Sequence, residues 1–196
     1  MRITAVNRYK KDRVEIKKMC LLVFKDAGRA FAEASKKKSM FKTAQSLVAA
    51  AILAAVAVFA ITEKMLLVPW VFALVLAVGI LGGYIIGIIM NTLGFKGAFF
   101  EGLTAISYAL LPLSAGALIA ALLSLLPALG VAFGAIAVIV MFSLGFSVLY
   151  RGIKEMFRCD MLTSFVAVSI LTLAFIIGLY TTLGLNTLAA ARILGV

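Results

Sequence analysis

The chain has no histidine, two cysteines, three prolines and eight acidic residues among 196. Without histidine it lacks the one side chain that ordinarily works as a base near neutral pH, and the commonest metal ligand as well. Cys20 and Cys159 have neither the number nor the spacing of a metal site or a disulfide framework, so neither a cofactor nor a metal is expected. Charge is scarce too. Only 14% of residues are charged, against about a quarter in a typical soluble domain. A soluble fold of this size has too much surface to clothe with so few charges.

What the chain has instead is hydrocarbon, 64% of its residues by count. Five apolar runs stand out, at about 44–62, 66–90, 103–126, 129–150 and 161–183. Each meets the requirement of about 20 residues for a helix to cross a bilayer core of about 30 Å. The runs are continuously apolar, whereas a membrane β-barrel needs short alternating segments. Helices close their backbone hydrogen bonds internally, so helices are what such runs become in lipid. The expected fold is therefore all-α: a polytopic membrane bundle of five transmembrane helices, preceded by an amphipathic cytoplasmic helix.

The connectors are short. Glu63, Lys64 and Met65 join the first two spans, and Pro127 with Ala128 joins the third and fourth. Tight turns force antiparallel neighbours, so these spans read as two hairpins. Pro69 falls in the first turn of the second span, where a missing N–H costs least. Trp70, Tyr150 and Tyr180 lie near span ends, as boundary aromatics do.

Charge is distributed unevenly. Thirteen of the nineteen Lys and Arg residues lie within residues 1–44, beside only four acids. A basic block next to a membrane span sets orientation and holds anionic lipid, rather than reading nucleic acid. With the N-terminus inside, seventeen basic residues fall on inner segments and two, Lys64 and Arg192, on outer ones. The expectation is a multi-pass protein of the cell membrane, with segment 1–43 cytoplasmic and a short tail, 184–196, outside. No cleavage box precedes the first apolar run, so a removed signal peptide is not expected.

Within the basic segment, Phe24, Ala27, Phe31 and Ala34 recur on one helical face, with Lys25, Arg29, Lys36, Lys37 and Lys38 largely elsewhere. Two readings are open. The helix lies on the inner leaflet, binding anionic lipid through those cations, or its apolar face packs against cytoplasmic parts of its own protein.

None of the five runs contains Asp, Glu, Lys, Arg or His. Intramembrane charges mark proton relays, ion paths and coupled transport, so their absence argues against a pump, a charged channel or an embedded enzyme. Small residues are more informative. Gly79, Gly83 and Gly87 share a stripe on the second span, and Gly130 and Gly134 repeat it on the fourth. Such stripes let helices approach closely. They serve either the packing of the bundle or, on the second span, a homodimer seam.

Polar side chains gather toward the expected cytoplasmic ends: Tyr84, Asn91, Ser107, Tyr108, Ser143, Ser147, Thr163 and Ser164. One reading is a polar pocket open to the cytoplasm. The other is hydroxyls bonding to carbonyls of their own helices.

The third span opens Ile106-Ser107-Tyr108-Ala109-Leu110-Leu111-Pro112-Leu113, after Gly97-Ala98-Phe99-Phe100-Glu101-Gly102. This resembles the Yip1 family, with Ser107 where that motif usually has glycine and with Tyr108 and Pro112 in register. The segment Phe24–Phe31 is similar to the pre-membrane helix of prokaryotic members. The acidic-aromatic Asp-Leu-Tyr-Gly-Pro element of eukaryotic members, which act with Rab-type GTPases in vesicle traffic, is absent. Five spans, a cytoplasmic N-terminus and short outer loops agree with that family. The expected function is a non-enzymatic Yip1-like scaffold or membrane-organising factor, whose basic inner surface engages anionic lipid or a cytosolic protein partner, with a homodimer also open. A carrier or channel for a neutral or lipidic solute is the alternative, working through the polar pocket.

Overall fold

The computed structural model of the protein describes residues 26–37, 39–96, 99–126 and 130–194. Every regular element among them is a helix: α1 Ala27–Lys37, α2 Met40–Thr62, α3 Leu67–Thr92, α4 Phe99–Ser124, α5 Gly130–Phe157 and α6 Met161–Leu194. Five of these are long and apolar enough to cross a membrane, with α6 doing so over Met161–Gly178. Lys25 and Lys38 lie outside the described residues, as do residues 1–24.

Local chemistry explains where the helices stop. Glu63 takes a left-handed conformation (φ 54°) and returns its N–H to the Phe59 carbonyl, closing α2. The end of α3 is a left-handed glycine cap: Gly94 sits at φ 85° and the Phe95 N–H reaches the Met90 carbonyl at 3.0 Å. The same closure ends α5, where Arg158 is left-handed and the Cys159 N–H reaches the Lys154 carbonyl at 3.3 Å.

Helix α4 is the hub. It packs on α2, α3 and α5, and residues Glu101 to Ala109 are all buried. Half of its most apolar stretch is covered by protein, against 17% for α5 and α6. It runs unbroken through the buried Pro112. The remaining spans leave large side chains outward, Ile52, Leu81, Ile139 and Phe165 among them. Hydrocarbon solvates such surface at no penalty, so a membrane bundle can leave most of its outer helices uncovered by protein.

Packing is concentrated at the end of the bundle that carries α1. There α3 buries Ile86 and Met90, α5 buries Gly145, Val148, Leu149, Gly152, Ile153, Met156 and Phe157, and α6 buries Ser164, Ala167 and Val168. Toward the other end α6 stands away from the bundle, with Leu173, Phe175, Ile176, Ile177 and Tyr180 all exposed, while Gly130 and Gly134 keep α5 against α4. The large buried side chains of α3, α5 and α6 thus lie toward the α1 end.

Three boundaries differ from the sequence expectation. Helix α4 begins at Phe99 rather than Leu103, taking Glu101 into its first turn, where a carboxylate complements the helix dipole. Helix α5 continues past Tyr150 to Phe157, giving α1 something to pack on. Helix α6 runs on through 184–194, where a tail was expected.

Candidate functional site

The densely packed end is the candidate site. Its first component is the α2–α4 contact. Thr43 and Thr104 are both buried, and their hydroxyls lie 3.0 Å apart. The Thr104 hydroxyl donates to the Phe100 carbonyl at 2.8 Å, so its single proton is committed and Thr43 donates across the gap. Ser46 donates to the Thr43 carbonyl at 2.8 Å, and Ser107 to the Leu103 carbonyl at 2.6 Å. Glu101 is only 8% exposed in the same layer.

Its second component is the α1 seat. Ala27, Ala30, Phe31 and Ala34 form the buried face of α1. Phe31 is fully enclosed. Its ring stands 5.3 Å from that of Tyr108 on α4, tilted by 41°. On the other side a β-carbon placed on Gly152 of α5 would come within 2.6 Å of the Phe31 Cζ. Gly152 is therefore a notch cut for this ring. Covering one phenylalanine side chain contributes about 1.5–3 kcal/mol, and the three alanines add little, so Phe31 dominates the hold of α1.

Of the two readings of the α1 face, the structure shows it packed on its own protein, at α5 and α4. Arg29, Lys36 and Lys37 occupy positions along the same helix.

A third component is the α5–α6 turn. The Cys159 thiol is buried, 3.1 Å from the Ser164 hydroxyl, which also donates to the Asp160 carbonyl at 2.9 Å. Thr163 donates to the Asp160 carboxylate. That bond, above all, holds the Asp160 carboxyl below its usual range. Tyr150 reaches the Met161 carbonyl at 3.3 Å.

The glycine stripes pack the bundle. Gly79 lies against Leu47 of α2, Gly83 against the Leu103 backbone, and Gly87 near Phe99, all within one chain. A β-carbon on Gly83 would come 2.7 Å from the Leu103 Cα, and one on Gly102 would strike the Gly83 carbonyl. Gly130 and Gly134 likewise meet the Leu123 and Ala120 carbonyls of α4.

The eight polar residues expected toward this end do not gather in one place. Ser107, Tyr108 and Ser164 are buried and Thr163 is half-buried, but Tyr84, Asn91, Ser143 and Ser147 face outward. The outward Ser143 donates to the Ile139 carbonyl at 2.9 Å. Sequence reading missed Thr43, Ser46, Thr104 and Glu101. The signal was available for the hydroxyls: Thr104, Ser107 and Ser114 fall at i, i+3 and i+10, a polar stripe on a helix otherwise apolar all round.

Among the described residues six helices, five of them long and apolar enough to cross a membrane and packed about the central α4, define a polytopic α-helical membrane protein. A family model described as the Yip1 domain matches residues 21–182, and the chain belongs to the Yip1 family, which is not a family of enzymes. The match takes in α1 and reaches well into α6, so α1 and the bundle fall within one matched unit. No curated relative and no solved structure matches the chain.

Proposed function

We propose that the protein is a non-enzymatic membrane scaffold or membrane-organising factor, whose basic N-terminal segment engages anionic lipid of the inner leaflet or a cytosolic protein partner. The observation that supports this is a coincidence of place. The most densely packed end of the bundle is also the end that carries α1, which belongs to the segment of sequence holding thirteen of the nineteen basic residues. A scaffold needs a firm base presenting charge, and each Lys or Arg near an anionic surface contributes about 1 kcal/mol. The positive-inside asymmetry of the sequence supports a cytoplasmic position for this end.

The bundle interior supports the same reading. The Thr43 and Thr104 hydroxyls bond across the α2–α4 contact, and those of Ser107 and Ser164 are given to nearby carbonyls, so these groups are occupied within the protein rather than turned to a passing solute. Deleting residues 1–38 tests the proposal. Retention of phosphatidylglycerol and of cytosolic proteins by the tagged protein should fall sharply, while the bundle stays folded. Undiminished retention would overturn it, and solute flux through reconstituted liposomes would replace it with a carrier.

A further inference from the structure

Helix α1 has one large apolar side chain, Phe31, and the seat it occupies belongs to the membrane bundle itself. The ring is lodged between Tyr108 of α4 and the Gly152 notch of α5, while Ala27, Ala30 and Ala34 contribute only methyl groups. The hold is therefore concentrated in one ring rather than spread along the helix. Only Lys38 and Ser39 separate α1 from α2, so release needs a change in a few backbone torsions.

An amphipathic helix enters the headgroup region through its apolar face, with cations flanking it. In α1 that face is the one already committed to the bundle. Contact with Tyr108 and Gly152 and contact with the leaflet are therefore mutually exclusive. One large side chain makes the protein seat modest in strength, and the neighbouring Arg29, Lys36, Lys37 and Lys38 make the lipid seat responsive to surface charge.

We propose that α1 is a detachable latch: with Phe31 lodged between Tyr108 and Gly152 it is closed, and an anionic membrane surface draws the same face off the bundle. This rests on the reading that the basic segment engages anionic lipid, and it adds what that engagement does. Opening uncovers a Phe-sized notch beside Tyr108, so lipid charge is converted into exposure of one surface of the bundle. Tyr108 is also one of the residues on which the family resemblance rests, and its place in the latch gives that position a physical task.

The test uses the full chain with Cys20→Ser and Cys159→Ala, spin-labelled at Ser35→Cys on α1 and Glu155→Cys on α5. Distances are read by double electron–electron resonance in nanodiscs. Phosphatidylcholine discs should give one narrow distance, and added phosphatidylglycerol a several-fold rise in a longer population. Phe31→Ala should show the longer population already in phosphatidylcholine, and Phe31→Leu should fall between. An unchanged narrow distance at every phosphatidylglycerol content overturns the latch. A broad distance in phosphatidylcholine, insensitive to Phe31, overturns it as well. Native mass spectrometry of the same samples separates the two ideas. Phosphatidylglycerol retained with a fixed distance leaves lipid engagement standing without the latch, whereas no retention removes both.

Discussion

The hydroxyls of Thr43 and Thr104 lie 3.0 Å apart across the α2–α4 contact, both fully buried and 61 residues apart in sequence. Because Thr104 gives its own proton to the Phe100 carbonyl, the pair is directional, with Thr43 as donor. Interhelical hydroxyl bonds in membranes are modest, since a separated helix finds other partners for the same groups.

That modesty makes a quantitative prediction. Thr43→Val and Thr104→Val keep shape and remove one partner each. A double-mutant cycle on unfolding in mixed micelles should give a coupling of about 0.6 kcal/mol, with about 1.7 kcal/mol as the upper end. No coupling would mean that the two hydroxyls do not act as a pair.

The contact of α3 with α4 is tighter and less forgiving. A β-carbon on Gly83 would come 2.7 Å from the Leu103 Cα, which is backbone and cannot swing aside. Gly83→Ala should cost about 1–3 kcal/mol by overpacking, and Gly83→Leu more. Because the contact lies within one chain, the loss should appear as a lower melting temperature. The expected readout is thermal stability by fluorescence-detected chromatography, with the detergent-solubilised size of the surviving fraction unchanged. A change of size without a change of stability would instead place the stripe at a homodimer seam.

Much of this fold is legible from the sequence because hydrocarbon imposes a simple rule. A continuous apolar run of sufficient length must be a helix, and Gly83 or Gly134 on its stripe must meet another backbone. Azimuth is harder to read. Depth along the axis can be counted, but a single hydroxyl in an apolar helix does not say which face turns inward. Ser107 and Ser143 have the same side chain and bond in the same way to the carbonyl four residues back, yet one is buried and the other faces outward. Glu101 misled for a related reason. A charge beside a run marks a connector by composition, but within the first turn of a helix it satisfies the dipole and stays in the helix.

The Cys159 thiol reports on the same packed end. It is buried and in contact with Ser164 and the Ile153 carbonyl. A buried thiol is inert to polar reagents until the structure opens. On a Cys20→Ser background, a water-soluble maleimide should react with Cys159 about an order of magnitude more slowly in the folded protein than after denaturation in dodecyl sulfate. Equal rates would show that the α5–α6 turn is open to water.

Asp160 caps the start of α6, receiving the Thr163 hydroxyl on its carboxylate and the Ser164 N–H on its carbonyl. The Thr163 bond is the main reason its carboxyl titrates below the usual range, with further contributions from nearby backbone groups. A carboxyl that is more acidic in the folded state stabilises that state fully above its unfolded pKa. The contribution is lost as pH falls through the lower, folded value. Asp160→Ala should therefore lower the melting temperature at neutral pH, and its difference from the wild type should shrink only in strongly acid buffer. Asp160→Asn keeps an acceptor for Thr163 but cannot titrate, so it should lose less stability and should not reproduce that convergence. Melting curves of the three proteins in one non-ionic detergent, from neutral to strongly acid pH, check both statements. A gap between wild type and Asp160→Ala that persists unchanged at the acid end would assign the loss to packing at the α5–α6 turn instead of to the carboxylate.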